Sequence, residues 1–311
     1  IGRLGCGGFG SVDLVQHKAS HKTYALKSVS KGYVVKMDMQ ESIVNEKYIS
    51  MMMNSKFIIR LSETYNSPQT LYFLLEVALG GDLFATYFRK GFHGSSRHAR
   101  FYTAGVVLAF EHLHQRRVVY RDLKPENLLF DAQGFTKLTD MGLAKFVVGK
   151  TFTTCGTPDY FAPELLHCLG HTQALDWWTL GVLIFELMTG NPPFVGKHPM
   201  MIYAKIVQGI DKVPFPVTCV GEVGDLIRAL LKADPCKRLP MRRGSVQNLK
   251  THPWYHDFDW EKLSNHTLDP PYRPQLKSST DLSNFSVRSD EAPRYEYVDD
   301  GSGWDRDFAS A

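Results

Sequence analysis

The chain has 311 residues, 43% hydrophobic content and a formal charge of +4 with histidine neutral. That is enough apolar material for one large core or for two lobes sharing a cleft. The near balance of charge speaks against a chain devoted to nucleic-acid binding, and the run Lys237, Arg238, Arg242, Arg243 reads as a solvated surface. Five cysteines, odd in number and without CxxC spacing, fit a reduced, intracellular chain, expected in the cytoplasm, with membrane association through a preceding N-terminal region left open. In "HCLGH", His167 and His171 flank Cys168, but no second ligand cluster lies nearby to complete a zinc site. No signal peptide or transmembrane segment is expected. The chain starts at Ile1 directly on a glycine-rich turn, so a piece cut from a longer polypeptide is expected.

In chain order, residues 1–75 read as strands with one helix. "SVDLVQH" alternates and "TYALKSV" is rich in β-formers, predicting an antiparallel meander around the glycine turn. "MQESIVNEKYISMMM" has helical periodicity, with Ile43, Tyr48 and the methionines as its apolar positions. "TLYFLLEV" reads as a buried strand, and "LGG" after it as a hinge. From Asp82 to about His256 helices dominate. "SRHARFYTAGVVLAFEHLH" is one long amphipathic helix, and "NLLFD" and "TKLTD" are short strands. "WWTLGVLIFELMTG" carries Glu186 and predicts a buried helix stopped by Gly190 and the Pro192–Pro193 pair. From Asp257 onward Pro, Ser and Asp accumulate, and composition alone predicts disorder.

Several stretches carry chemistry. "LGCGGFGSV" sets Gly5, Gly7 and Gly10 in G-x-G-x-x-G spacing, which lets backbone N–H groups approach phosphates. A dinucleotide-binding fold would need a helix next, yet a strand follows, ending in "YALK" with Lys27. "YRDLKPENLL" sets Asp122, Lys124 and Asn127 at fixed offsets, "KLTDMGLAK" brings Asp140, and "GTPDYFAPE" follows. In this order, over essentially the whole chain, these motifs resemble a protein kinase.

The resemblance implies an α+β, bilobal fold: a kinase domain over 1–256, with a β-rich N-lobe 1–75, a hinge 76–81 and a helical C-lobe 82–256. It implies transfer of the ATP γ-phosphate with Mg2+, or Mn2+, as cofactor. Asp122 accepts the substrate hydroxyl proton, Lys124 steadies the transferring phosphate, and Asn127 and Asp140 hold the metal. Lys27 holds phosphate and pairs with Glu46. Leu4, Val12 and Ala25 enclose adenine beneath gatekeeper Leu75, with the backbones of Glu76 and Ala78 as its hydrogen-bond partners, and Asp82 and Glu126 close the nucleotide site. Asp176 orients the catalytic loop and Arg238 pairs with Glu164. Met141 stands where the family usually has Phe and, apolar with similar reach, is expected to tuck under the helix of Glu46. Ser50 replaces a usual apolar packing residue, with Ile49 to compensate.

"TFTTCGTPDY" resembles the activation segment of the AGC group of serine/threonine kinases. Thr153 aligns with a phosphorylated threonine that pairs with Arg121 and Lys145. "HDFDWEKL", "PPYRP", "STDLSNF" and "DDGSGWDRDF" resemble the AGC C-terminal extension, 257–311. Phe285 is then expected at the adenine pocket, and Trp304 and Phe308 on the small lobe. The last stretch is similar to the end of cGMP-dependent protein kinases. That branch implies cyclic-nucleotide-binding regulatory domains on the same longer polypeptide. Asp82, Glu126 and Asp159 imply protein substrates with Arg or Lys N-terminal to the acceptor, and Thr154, Pro158 and Phe161 line the pocket for the residue after it. Two alternatives stay open: a cAMP-dependent catalytic subunit, and a catalytically dead scaffold favoured by Met141, Ser50 and Tyr120 alone.

Overall fold

The computed structural model describes residues 1–7, 10–285 and 295–310. The N-terminal part is one antiparallel sheet with strand order β1-β2-β3-β5-β4. Its strands are β1 (Gly2–Gly7), β2 (Gly10–Gln16), β3 (Thr23–Ser30), β4 (Leu61–Asn66) and β5 (Thr70–Leu75). Between β3 and β4 run α1 (Lys31–Lys36) and α2 (Gln40–Met52), so this part holds two helices where the sequence reading expected one. Strands β1 and β2 meet at Gly7 and Gly10. A Cβ on Gly10 would sit 1.8 Å from the Ser28 carbonyl oxygen, so only glycine fits there. Residues 8 and 9 lie outside the described residues.

Helix α2 corrects a second expectation. Ile43 is buried as read, but Tyr48, Met51 and Met52 are exposed; Met53, just past the helix end, is buried. The inward face is instead Ile43, Glu46, Lys47, Ile49 and Ser50. Two charges sit on that face because each has a partner: Glu46 binds Lys27, and Lys47 donates to the Asp307 carbonyl. Hydrophobic periodicity fails where a helix turns a polar residue inward for an ion pair.

The C-terminal part is mainly helical: α3 (Leu83–Lys90), α4 (Ser96–Gln115), α5 (Pro163–Leu166), α6 (Ala174–Thr189), α7 (Pro199–Gln208), α8 (Glu222–Leu230), α9 (Gln247–Lys250) and α10 (Trp260–Asn265). Short strands β6 (Val118–Val119), β7 (Leu128–Phe130), β8 (Thr136–Leu138) and β9 (Lys145–Phe146) pair as β6-β9 and β7-β8. Helix α6 is buried along nearly its whole length, as its apolar run requires. It ends at Gly190, whose φ of 88° is the left-handed cap that glycine accepts without strain. No described helix is long and apolar enough to cross a membrane.

The segment that composition reads as disordered is anchored at several described points. Phe285 reaches the cleft. Phe308 is buried in the small-lobe core, edge-on to Phe73 at 5.2 Å, and its carbonyl accepts the Thr64 hydroxyl at 2.6 Å. Trp304 packs on the same cluster. These anchors are sparse along the chain, so average composition hides them.

Candidate active site

A cavity of about 270 Å³ lies between the sheet and the helical part. Its walls include Leu4, Gly5, Val12, Ala25, Leu75, Glu76, Ala78 and Phe285, which the sequence reading assigned to the nucleotide. Leu129 and Leu138 form the floor, and neither was foreseen. Both belong to the β7–β8 hairpin after the catalytic loop, and the strand pattern there is their only sequence signal. Asp82 does not line this cavity. Its carboxylate caps α3 by accepting the Ala85 N–H at 2.7 Å. Glu126 is likewise absent here and instead lines the adjoining cavity, with Asp122, Lys124 and Gly10.

Lys27 links the two halves of the site. Its Nζ lies 2.6 Å from Glu46 and 3.4 Å from Asp140. Burial opposes its charge, but the two carboxylates outweigh that and raise its pKa, so Lys27 stays an ammonium. The same ammonium holds Asp140 below the usual carboxylate range. Asp140 has φ of 58° and Arg121 φ of 73°, conformations that non-glycine residues hold only when their surroundings fix them. The Gly142 N–H bonds Asp140 at 3.2 Å. Asp176 fixes Arg121: fully buried, it accepts the N–H groups of Tyr120 and Arg121, each at 2.9 Å, and pairs with His114 at 2.7 Å.

Asp122 gathers the next group. Its carboxylate accepts from Asn127 Nδ2 at 2.9 Å, Lys124 Nζ at 3.0 Å and the Thr157 hydroxyl at 3.4 Å. Asn127 also donates to the Asp122 carbonyl at 2.8 Å, so its amide nitrogen is spent and its oxygen remains as a donor atom for a cation. Asn127 and Asp140 line one cavity. Among the described residues no group of three His, Cys, Asp or Glu side chains is arranged to hold a metal. An amide oxygen and a carboxylate suit a hard cation that takes its other ligands from water and phosphate. "HCLGH" gathers no site either: His171 is buried while Cys168 is exposed.

Met141 is buried in the core cluster that contains Ile49, Phe57 and Ile58, so it fills the space under α2 as expected. Ser50 is buried at the rear of the cavity beside it. Glu164 and Arg238 form a buried fork, with both contacts at 2.6 Å.

Thr153 and Thr154 are exposed. Arg121 is buried and donates through Nε to the Leu143 carbonyl at 2.7 Å, while its Nη1 has no partner among the described residues. No hydrogen bond joins Thr153 to Arg121 or Lys145 among the described residues. Pro158 and Asp159 begin a short turn, and Phe161 stacks on Tyr203 at 5.9 Å.

One acid near this turn belongs to no motif. Glu186, buried on α6, accepts a hydrogen bond from the Tyr160 hydroxyl. Burial, with Glu126 and Asp159 nearby, pushes its pKa up to about 7. Three carboxylates thus face one region, and such a cluster favours a cationic ligand. A charge inside an otherwise apolar helix was the available signal.

Comparison with known proteins agrees with this geometry. A family model described as "Protein kinase domain" matches residues 1–255. The chain is 44% identical over 311 residues, 99% of its length, to "cGMP-dependent protein kinase, isozyme 2 forms cD5/T2" of Drosophila melanogaster. It is 41% identical over 98% of its length to "cAMP-dependent protein kinase catalytic subunit" of Dictyostelium discoideum. To "cGMP-dependent protein kinase 2" of Homo sapiens it is 40% identical over 99% of its length. The chain spans 33%, 47% and 40% of these three relatives respectively.

Proposed function

We propose that this chain, which belongs to the protein kinase family, transfers the γ-phosphate of ATP to serine or threonine, as the catalytic part of a cGMP-dependent protein kinase. The observation that carries the reading is one cleft holding the Lys27–Glu46 pair, Asp140, and Asp122 with Asn127 and Lys124. Every group that the chemistry demands is retained, which weighs against a dead scaffold.

Lys27, kept charged by two carboxylates, holds phosphate under the glycine turn. Asp140 and Asn127 hold Mg2+, or Mn2+ in its place. The bound cation supplies charge neutralisation to the phosphates. Asp122 orients the acceptor hydroxyl and takes its proton, and Lys124 sets positive charge beside it. Positioning and electrostatics account for most of the rate, since phosphoryl transfer asks little covalent chemistry of the protein.

Substrates carry Arg or Lys N-terminal to the acceptor, drawn by Asp82, Glu126, Asp159 and Glu186. Thr154, Pro158 and Phe161 line the pocket for the residue after it. Phosphate on Thr153 gives the unpartnered Arg121 Nη1 an anion, together with Lys145, and orders the segment. Cyclic-nucleotide-binding domains sit on the same cytoplasmic polypeptide. The names of the relatives, and their greater length, support this. A cAMP-dependent catalytic subunit is the second reading, favoured by the Dictyostelium relative.

Two assays test the proposal. Serine peptides with upstream Arg or Lys should be phosphorylated at least tenfold more efficiently than peptides with Gln at those positions, and equal rates would refute the acidic groove. Adding cGMP or cAMP to the whole polypeptide decides the branch: activation by cAMP alone would defeat the cGMP-dependent reading.

A further inference from the structure

Two large aromatic side chains lie uncovered beside the acidic groove. Phe84 and Phe88 are 50% and 80% exposed on the outer face of α3, whose inner face buries Leu83, Thr86 and Tyr87. Side chains four apart on a helix are neighbours, so the rings form one apolar strip. Single exposed apolar residues need no explanation, but a contiguous strip beside a binding groove marks an interaction surface.

The placement of the strip identifies its occupant. Helix α3 starts at Asp82 and packs against the turn that carries Glu126. By helical rise, Phe84 stands ~3 Å and Phe88 ~9 Å along the axis from Asp82. An extended chain advances ~3.3 Å per residue. A segment with its cation on Asp82, running along α3, therefore meets Phe84 after about one residue and Phe88 after about three. With the acceptor at Asp122, the direction leading away past Asp82 is the peptide's N-terminal side. Charge along the helix also changes, from Asp82 at its start to Arg89 and Lys90 in its last turn. A segment complementary to it is basic over Asp82 and carries no further cation over Phe88.

We propose that Phe84 and Phe88 form an apolar subsite of the substrate groove, which takes a leucine- or phenylalanine-sized side chain one to three residues N-terminal to the substrate's basic residue. The subsite rests on the groove reading given above and adds a rule to it: apolar, then basic, then acceptor.

The test uses a serine peptide with one upstream Arg, with Leu or Gln scanned through the four positions N-terminal to that Arg. Leu at the matching position should lower KM about five- to tenfold against Gln, with kcat unchanged. The Phe84→Ala/Phe88→Ala double variant should lose that gain and phosphorylate the Gln peptide as wild type does. Three results would overturn the subsite: no gain from Leu at any position, a gain that persists in the double variant, or sedimentation showing wild-type self-association that the variant abolishes while its KM for the Leu peptide stays put. The last would assign the strip to a second copy of the chain. If even the Gln peptide is not phosphorylated, the groove reading itself fails and this inference falls with it.

Discussion

Replacing Asp176 with Asn isolates the role of one buried carboxylate in shaping the catalytic loop. Asp176 is wholly buried, and its oxygens accept the N–H groups of Tyr120 and Arg121 at 2.9 Å. Asn keeps the shape but turns one oxygen into an NH2 that faces a donor. A charge-assisted bond worth about 1.5–3 kcal/mol is lost, and a buried N–H is left unpaired at about 1–3 kcal/mol. A net cost of about 3 kcal/mol corresponds to a Tm lower by roughly 5 °C for a chain of this size. The N–H released belongs to Tyr120 or to Arg121, and Arg121, directly before Asp122, is held at φ of 73°. Once that conformation relaxes, Asp122 shifts, and a misplacement of ~1 Å costs ~100-fold in rate. ATP affinity, which rests on Lys27 and the sheet, should change less than about threefold. The assay pairs calorimetric ATP binding and thermal unfolding with steady-state kinetics. A kcat within twofold of wild type would refute the reasoning, as would a parallel collapse of ATP binding and kcat at a temperature where the variant is folded.

Other expectations follow the same logic. Glu164→Ala strands the fully buried Arg238 guanidinium and should cost about 3–5 kcal/mol, read by denaturant unfolding. Glu186 is neutral below its raised pKa of about 7 and charged above it, so KM for Arg-containing peptides should fall as pH rises from 6 to 8. Glu186→Gln should flatten that profile. Because the folded state holds this proton more tightly than the unfolded chain, Glu186 withdraws stability as pH rises from the ordinary glutamate range through 7, and Gln should remove that loss in pH-dependent unfolding. Met141→Phe swaps one buried apolar side chain for another and should keep kcat within about threefold, with a stability change below about 1.5 kcal/mol, measured by kinetics and thermal melts.

The chemistry was legible wherever residue identity at fixed offsets encodes it. Asp122, Lys124 and Asn127 lie within six residues, so one short loop brings them together. Lys27 and Glu46 are nineteen residues apart, and the resemblance to the kinase family paired them where periodicity alone left Glu46 on a surface helix. The outward Tyr48 and Met51 were not legible, because Glu46, ion-paired to Lys27, and Lys47, bonded to the Asp307 carbonyl, share the inward face of α2 with Ile43 and Ile49. Glu186 was hidden because an apolar run reads as core, and its acidic neighbours Glu126 and Asp159 come from distant parts of the chain. Asp82 has a local role that residue identity did not announce: one of its carboxylate oxygens caps α3. The tail was legible only by resemblance, since two aromatic anchors such as Trp304 and Phe308 barely alter average composition.

Transfer of the γ-phosphate itself tests the central claim most directly. The measurement is single-turnover phosphorylation of an Arg/Lys-rich serine peptide by this chain with ATP and Mg2+, with Thr153 phosphorylated, beside the Asp122→Asn variant and a chelator control. The account predicts transfer by the wild-type chain, loss of at least ~100-fold in the variant with ATP binding retained, and none with the metal removed. Tight ATP binding without transfer by the wild-type chain would contradict it and make this cleft a nucleotide-binding scaffold.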